Sequence, residues 1–234
     1  MRTTISETVL KALQAVDTPT ICNAIEAVEG KRRSTGFTRT PVICADPALP
    51  AMVGFVKTAQ IRADQPSLET PGVLRERRLN YYRYVADGTY PRIIVIGDCG
   101  QIKGLGAFWG EVNVALHKGL GLQGVITDGA IRDLGAIDPG FQLLAGSIGP
   151  SHAFVHVTAF DVAVNVFGLA LNPGDLVHAD RHGAVLIEPG MELELPAAID
   201  LVTRKEQPLL KAARAPGFDI AKLLQAWGDA EDVH

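Results

Sequence analysis

The stretch RIIVIGDCGQIKGLGAFWGEVNVALHKGLGLQGVIT, residues 92–127, decides the fold. Arg92 to Ile96 is a continuous apolar run of strand length. Glycines at 97, 100, 104, 106 and 110 then make a loop, Glu111 to Lys118 has helical composition, and Gly124 to Thr127 reads as a second strand. Strand, glycine loop, helix and strand form a βαβ unit, whose crossover is right-handed and whose ligand site lies at the carboxyl ends of the strands. Those ends are expected at Gly97-Asp98 and Asp128-Gly129, so the glycine loop and the following Arg132-Asp133 pair should meet there.

Outward from this unit the chain divides without a linker, an internal repeat or a low-complexity segment, and reads as a single domain over residues 1–234. Ile5, Val9, Leu13 and Val16 recur at helical spacing, and Asp17-Thr18-Pro19-Thr20 starts a second short helix through Ile21, Ala24 and Ile25. A short strand is expected near Pro41 to Cys44 and a longer one over Met52 to Ile61. Leu74 to Val85 is helical in period, its early arginines forming a solvated face. Beyond the centre, short β-type runs cover Phe154 to Ala159, Val162 to Val166, Asp175 to His178 and Ala184 to Ile187. The tail is helical over Pro196 to Ala213 and again around Ile220 to Trp227.

Composition narrows the function classes. A chain of 234 residues that is 47% hydrophobic buries a sizeable core without staples. Its formal charge of -4 carries no global excess of base to draw nucleic-acid phosphates or an anionic membrane surface, and neither is expected as a partner. The first residues lack an uninterrupted apolar stretch, because Ser6, Glu7, Thr8 and Lys11 break it, so cytoplasmic residence is expected. Cys22, Cys44 and Cys99 are odd in number and lack Cys-x-x-Cys spacing, which argues against a disulfide framework or a structural zinc and predicts buried or half-buried thiols.

The βαβ geometry places candidate chemistry. Glu111 falls in the first turn of the helix, where free N–H groups favour anions, and the amides of Val112 and Asn113, just after Gly110, point to the same place. Twenty residues, Val112 to Ile131, take the chain down the helix and back up the strand, so that Arg132 and Asp133 arrive beside Glu111. Such a cluster can hold a small anionic substrate on Arg132, bind a hard divalent cation on Asp133 and use Glu111 as acid or base. A helix-start acid beside an ordinary surface ion pair has the same spacing, and spacing alone leaves both readings open.

Other motifs carry less. Gly119-Leu120-Gly121-Leu122-Gln123-Gly124 matches G-x-G-x-x-G, but it follows a helix and enters a strand, the reverse of a dinucleotide site. In the true strand-to-helix loop Trp109 stands where the third glycine should be. His152 with His156, and His178 with His182, are spaced four apart, yet neither pair has a further ligand in register for zinc, and structural roles are favoured. Among the aromatics Tyr81, Tyr82, Tyr84, Phe108 and Trp109, packing is expected for most, and the loop residues Phe108 and Trp109 are expected to line a pocket.

Gly110-Glu111, then GAIRD ending in Arg132-Asp133, then PGDLVHADRHGAVLIEP over 173–189, resemble the family of 4-hydroxy-4-methyl-2-oxoglutarate aldolase and the regulator of ribonuclease activity A, whose signature is an acid, twenty residues and Arg-Asp. The resemblance runs from about residue 18 to the C-terminal helix and is strongest over 92–189. It implies an α/β fold of the swivelling β/β/α type, with a core over about 18–190, C-terminal helices over about 196–228, and flanking N-terminal helices. It implies a homo-oligomer, a trimer or a dimer of trimers, with the site at the subunit interface. It also implies magnesium or manganese held by Asp133 largely through waters, with Arg132 contacting a 2-oxo acid. The residue matching Glu111 is Asp in well-known members, so the reach of this longer acid differs. Glu206, in the C-terminal helix, is implied to approach the site of the adjacent subunit and to hold a water on the cation, whereas its own neighbours Lys205 and Lys211 favour a solvated helix face.

Aldolase members cleave a C–C bond beside a hydroxyl to release pyruvate, and many decarboxylate oxaloacetate, since both reactions pass through a pyruvate enolate. The residue types suit this: a cation bound by the 2-oxo acid and Arg132 near its oxo oxygen stabilise the developing negative charge, and Glu111 delivers a proton. No lysine lies in the motif, which disfavours a Schiff base, although Lys103 stands in the loop. The alternative is a non-catalytic, protein-binding regulator of the ribonuclease-inhibitor type, which shares the same pattern.

Overall fold

The computed structural model describes residues 5–233. In chain order its elements are α1 (Glu7–Gln14), α2 (Thr18–Glu29), β1 (Ile43–Cys44), β2 (Met52–Arg62), α3 (Pro71–Ala86), β3 (Arg92–Asp98), β4 (Ala107–Trp109), α4 (Glu111–Gly119) and β5 (Leu122–Ile131). These are followed by β6 (Gln142–Ile148), β7 (His156–Phe160), β8 (Val164–Val166), β9 (Leu169–Leu171), β10 (Leu176–Asp180), β11 (Gly183–Ile187), α5 (Leu195–Arg214) and α6 (Ile220–Glu231). Local chemistry sets the helix starts: Ser6 Oγ accepts from the Val9 amide at 3.3 Å, Asp17 from that of Thr20 at 3.0 Å, and Asp219 from that of Lys222 at 2.9 Å. Gly30, at φ 67°, closes α2 in the left-handed conformation that a side chain disfavours.

Strands run in the order β1-β6-β5-β3-β2-β10-β11, with β4 paired to the end of β5 and β7 to the end of β2. The centre, β6-β5-β3-β2, is parallel, and β1, β10, β11 and β7 join antiparallel. Every residue of β3 is buried, which is why it reads as an apolar run and not as an alternation. Ile94 and Ile96 face α3 and α4, packing with Tyr81, Val85, Val114 and Trp109. Ile93 and Val95 face the opposite way, onto the β8–β9 hairpin through Val164, Val166, Leu169 and Leu171. A third apolar cluster seats α1, α2 and α5 on Val53, Leu176 and Ile187. This is the expected α/β architecture with helices at both ends, and the βαβ unit is its centre.

Four details differ from the sequence reading. The strand expected over Gly124 to Thr127 continues to Ile131, because β5 shifts register against β6 between Thr127 and Ala130 and gains β4 as a new partner. β6 and β9 were not anticipated: Gln142 and Gly146 interrupt the apolar pattern of one, and the other has only three residues. Phe108 and Trp109 do not line a pocket; they are 2% and 0% exposed, packed against Tyr81, His117 and Phe141. Cys22 and Cys44 are half-buried as expected, but Cys99 is exposed. Among the described residues no helix is long and apolar enough to cross a membrane.

Candidate active site

The extension of β5 builds the site. At its end the Arg132 amide donates to the Trp109 carbonyl at 2.9 Å, which draws Arg132 and Asp133 up to the junction of β4 and α4. Asp133 takes φ 58° and ψ 35°, a left-handed conformation uncommon for any residue but glycine, asparagine or aspartate. That turn folds its carboxylate back so that Oδ2 accepts the Glu111 amide at 3.2 Å and lies 3.4 Å from Arg132 Nε. Gly110 makes the approach possible: a Cβ there would collide with Asp133 Oδ2 and stand 3.1 Å from Arg132 Cγ and Nε. Its backbone is extended, so closeness and not conformation demands glycine.

The first turn of α4 adds donors. The Glu111, Val112 and Asn113 amides precede any intrahelical acceptor, and Gly110 has no side chain to cap them. Glu111 N–H is taken by Asp133, which leaves those of Val112 and Asn113 and the positive end of the helix dipole for a ligand. Among the described residues the exposed Glu111 carboxylate makes no ion pair, and Asp133 Oδ1 has no hydrogen-bond partner. Arg132 and Asp133 side chains are 35% and 39% exposed, so the trio forms an open corner of the chain surface.

Behind this corner lies a polar scaffold that sequence reasoning missed. Asn113 donates to the Phe108 carbonyl and accepts from Arg78 Nη2 at 2.9 Å and Tyr82 Oη at 3.0 Å, tying the start of α4 to β4 and α3. Arg78 is therefore not solvated as expected; it lies over the Phe108 and Tyr82 rings. His117 is buried, with Nδ1 2.6 Å from the Asn113 carbonyl and Nε2 2.6 Å from Tyr81 Oη, and burial lowers its pKa to about 4. The carbonyl must receive a proton, so Nδ1 donates and the Tyr81 hydroxyl donates to Nε2. The i, i+4 spacings of Arg78 with Tyr82 and of Asn113 with His117 were the available signal. In the glycine loop Asp98 accepts the Gly100 and Gly104 amides at 2.9 Å each, and Asp128 accepts the Asp98 amide at 2.7 Å and pairs with Lys103.

Of the sequence-predicted residues, Gly110, Glu111, Val112, Asn113, Arg132 and Asp133 come together. Glu206 does not join them within the chain; it lines a groove between α2 and α5 with Asn23, Glu26, Lys31, Arg32 and Lys205. The histidine pairs make local contacts: His178 is buried between Thr18 and the Leu13 carbonyl, His182 contacts Asp180, and His152 and His156 contact backbone carbonyls beside them. Among the described residues no three His, Cys, Asp or Glu side chains converge as a metal cluster. A cation in the corner would take the spare Asp133 oxygen and fill its remaining positions with water or ligand oxygens, an arrangement suited to magnesium or manganese.

The fold and corner have known relatives. Residues 18–186 match the RraA-like model, described as Aldolase/RraA, and the chain belongs to this family. It is 25% identical over 167 residues, 68% of this chain and 77% of the relative, to a Halalkalibacterium halodurans protein named "Putative 4-hydroxy-4-methyl-2-oxoglutarate aldolase". An uncharacterized Pseudomonas syringae protein superposes with TM-score 0.73 at 21% identity, over 98% of this chain and 97% of that one. Streptomyces coelicolor RraAS2, described as an unusual member of the RNase ES inhibitor RraA protein family, superposes with TM-score 0.66 at 22% identity, over 92% and 100%. The family thus spans aldolase-type members and ribonuclease regulators.

Proposed function

We propose that the protein is a carbon–carbon lyase acting on a 2-oxo acid, releasing pyruvate by retro-aldol cleavage of a 4-hydroxy-2-oxo acid, by decarboxylation of oxaloacetate, or by both. The observation that carries this reading is the half-used carboxylate of Asp133: Oδ2 fixes Glu111 and Arg132 in place while Oδ1 is left over beside unclaimed amides. A cation-binding site needs such a residual oxygen, and here it lies beside helix-end amides able to hold an anionic ligand. Asp133 would hold a magnesium or manganese ion, which when bound supplies Lewis-acid polarisation of the 2-oxo group.

The chain's own residues do the rest. Arg132 offers its guanidinium fork to the oxo and carboxylate oxygens, where negative charge grows as the C3–C4 bond breaks and its electrons pass to the C2 oxygen of the pyruvate fragment. The Val112 and Asn113 amides hold the substrate carboxylate at the helix end. Glu111, exposed, takes the C4 hydroxyl proton through a water as C4 departs as a carbonyl and returns it to C3 of the fragment; in decarboxylation C4 departs as CO2 and water supplies the C3 proton. Lys103, engaged by Asp128, is not an amine poised for a Schiff base.

The openness of the corner in one chain supports a homo-oligomer, trimer or dimer of trimers, in which Glu206 of an adjacent subunit completes the site. Mixing inactive Arg132→Ala and Glu206→Ala proteins should then restore activity in hybrid assemblies; dead hybrids between folded oligomeric parents remove Glu206 from the site. The reading as a whole is tested by pyruvate release from 4-hydroxy-2-oxo acids and oxaloacetate, with magnesium or manganese returned after chelation. Equal activity in chelator overturns the metal dependence. No pyruvate from any of these substrates overturns the lyase and leaves a protein-binding regulator.

A further inference from the structure

At the opposite, amino end of the parallel strands a second concavity of about 380 Å³ is lined by residues including Lys57, Tyr84, Gly88, Thr89, Arg92 and Asp161. Arg92 is 1% exposed, yet among the described residues only one nitrogen of its guanidinium is hydrogen-bonded: Nη2 donates to Tyr90 Oη and, at 2.7 Å, to the Leu120 carbonyl. Its Nε and Nη1 are buried with no hydrogen-bond partner among the described residues. The Tyr90 ring covers the cation at 4.0 Å, a contact that compensates part of the charge and none of the missing acceptors.

Lys57 stands on the neighbouring strand and the same face as Arg92, since Phe55 pairs with Arg92 and side chains alternate. Its ammonium lies 4.2 Å from the centre of the Tyr84 ring, and burial lowers its pKa. Gly88 keeps the wall open beside it: a Cβ there would come within 3.1 Å of Nζ. Among the described residues neither cation has a carboxylate within 4.0 Å. Asp161 lines the cavity and acts on the Tyr84 hydroxyl, and both it and Asp87 reach Lys57 only through more distant charge, which burial and the neighbouring Arg92 cation oppose. A buried guanidinium without counter-charge, and with acceptors on one of its three nitrogens, is costly to hold, and its natural remedy is an anion with oxygens in one plane.

We propose that this crevice binds a small oxyanion, a carboxylate or phosphate group, between Lys57 Nζ and the unpartnered Nε–Nη1 edge of Arg92. The exposed Tyr90 ring is the side chain that must shift to admit it. The site lies at the other end of the strands from Arg132 and stands whether or not the lyase reading does.

Thermal unfolding of the full chain tests it, with potassium phosphate or acetate titrated against potassium chloride at equal ionic strength. The wild type should show a saturable rise in Tm beyond the chloride reference, with the responding anion identifying phosphate or carboxylate as the ligand group. Lys57→Gln and Arg92→Met should lose that rise. No rise with either anion in the wild type, or an equal rise in Lys57→Gln, overturns the proposal. If Arg92→Met does not fold, the Lys57→Gln comparison decides alone.

Discussion

β3 carries a buried charge at each end, and the two are treated in opposite ways. Asp98, 2% exposed at the carboxyl end, spends both oxygens on loop amides, so its charge is consumed in holding the glycine loop. Arg92, 1% exposed at the amino end, keeps two nitrogens, Nε and Nη1, unanswered among the described residues. Burial alone therefore does not distinguish scaffold from site; the tally of unmade bonds does. Asp133 lies between these extremes, with one oxygen committed to positioning its neighbours and one without a hydrogen-bond partner among the described residues.

The largest effect should break the carboxyl end: Asp133→Ala removes the oxygen proposed to hold the cation and is expected to cut metal-dependent pyruvate release by about a thousandfold or more, with Tm little changed. Retention of activity would put Asp133 with Asp98, as architecture. Next comes acid stability. Burial depresses His117 to about 4 against an ordinary 6.5, so the folded state resists a proton that the unfolded chain accepts. Its contribution is full above pH 6.5 and is lost as pH falls through about 4, a change of roughly 3 kcal/mol. Burial also lowers the His178 pKa, so His178 acts in the same direction, and His117→Gln should flatten, not abolish, the slope of Tm against pH over this window.

Arg132→Lys should follow, with kcat/KM down roughly a hundredfold because an ammonium lacks the planar fork. Near-normal kinetics would count against direct contact with the oxo acid. The smallest effects sharpen the contrast along β3. Asp98→Asn leaves a loop amide facing an NH₂ group and should destabilise by about 1–3 kcal/mol in denaturant unfolding. Arg92→Met, measured without phosphate or carboxylates, should leave stability unchanged or raise it, since the buried charge it removes has no counter-ion among the described residues and this offsets the loss of its bonds to Tyr90 and Leu120. Equal losses in both would erase the distinction.

Much of this was legible in the sequence where one pattern had one physical solution. The apolar run at 92–96, the glycine loop and the acidic helix start fix a βαβ unit, and the interval from Glu111 to Arg132 fits one helix and one returning strand. What escaped was decided by pairing partners distant in sequence. Nothing local in Thr127-Asp128-Gly129-Ala130 says that the strand continues, because its continuation depends on β4 arriving alongside. Phe108 and Trp109 looked like pocket residues because they sit in a loop by composition, yet three residues of strand turn them into the core. The orphan bonds of Arg92 were invisible because a strand-initial arginine looks solvated until Tyr90 covers it.

The closure at Gly110 turns the family signature into a length rule. Both ends of the twenty-residue interval are fastened, one by the Asp133 carboxylate on the Glu111 amide and the other by the Arg132 amide on the Trp109 carbonyl. An extra residue inside α4 would rotate its later side chains by about 100°, taking Val114 or His117 out of the core, and one inside β5 would invert which face every following residue presents. Gly119 is different: it is exposed, with open space where a side chain would stand, while Leu120 just after it is held by Arg92. Insertions and deletions in this interval should therefore be absorbed at that one position, which makes it the natural point to splice a tag or permute the chain while keeping the corner intact.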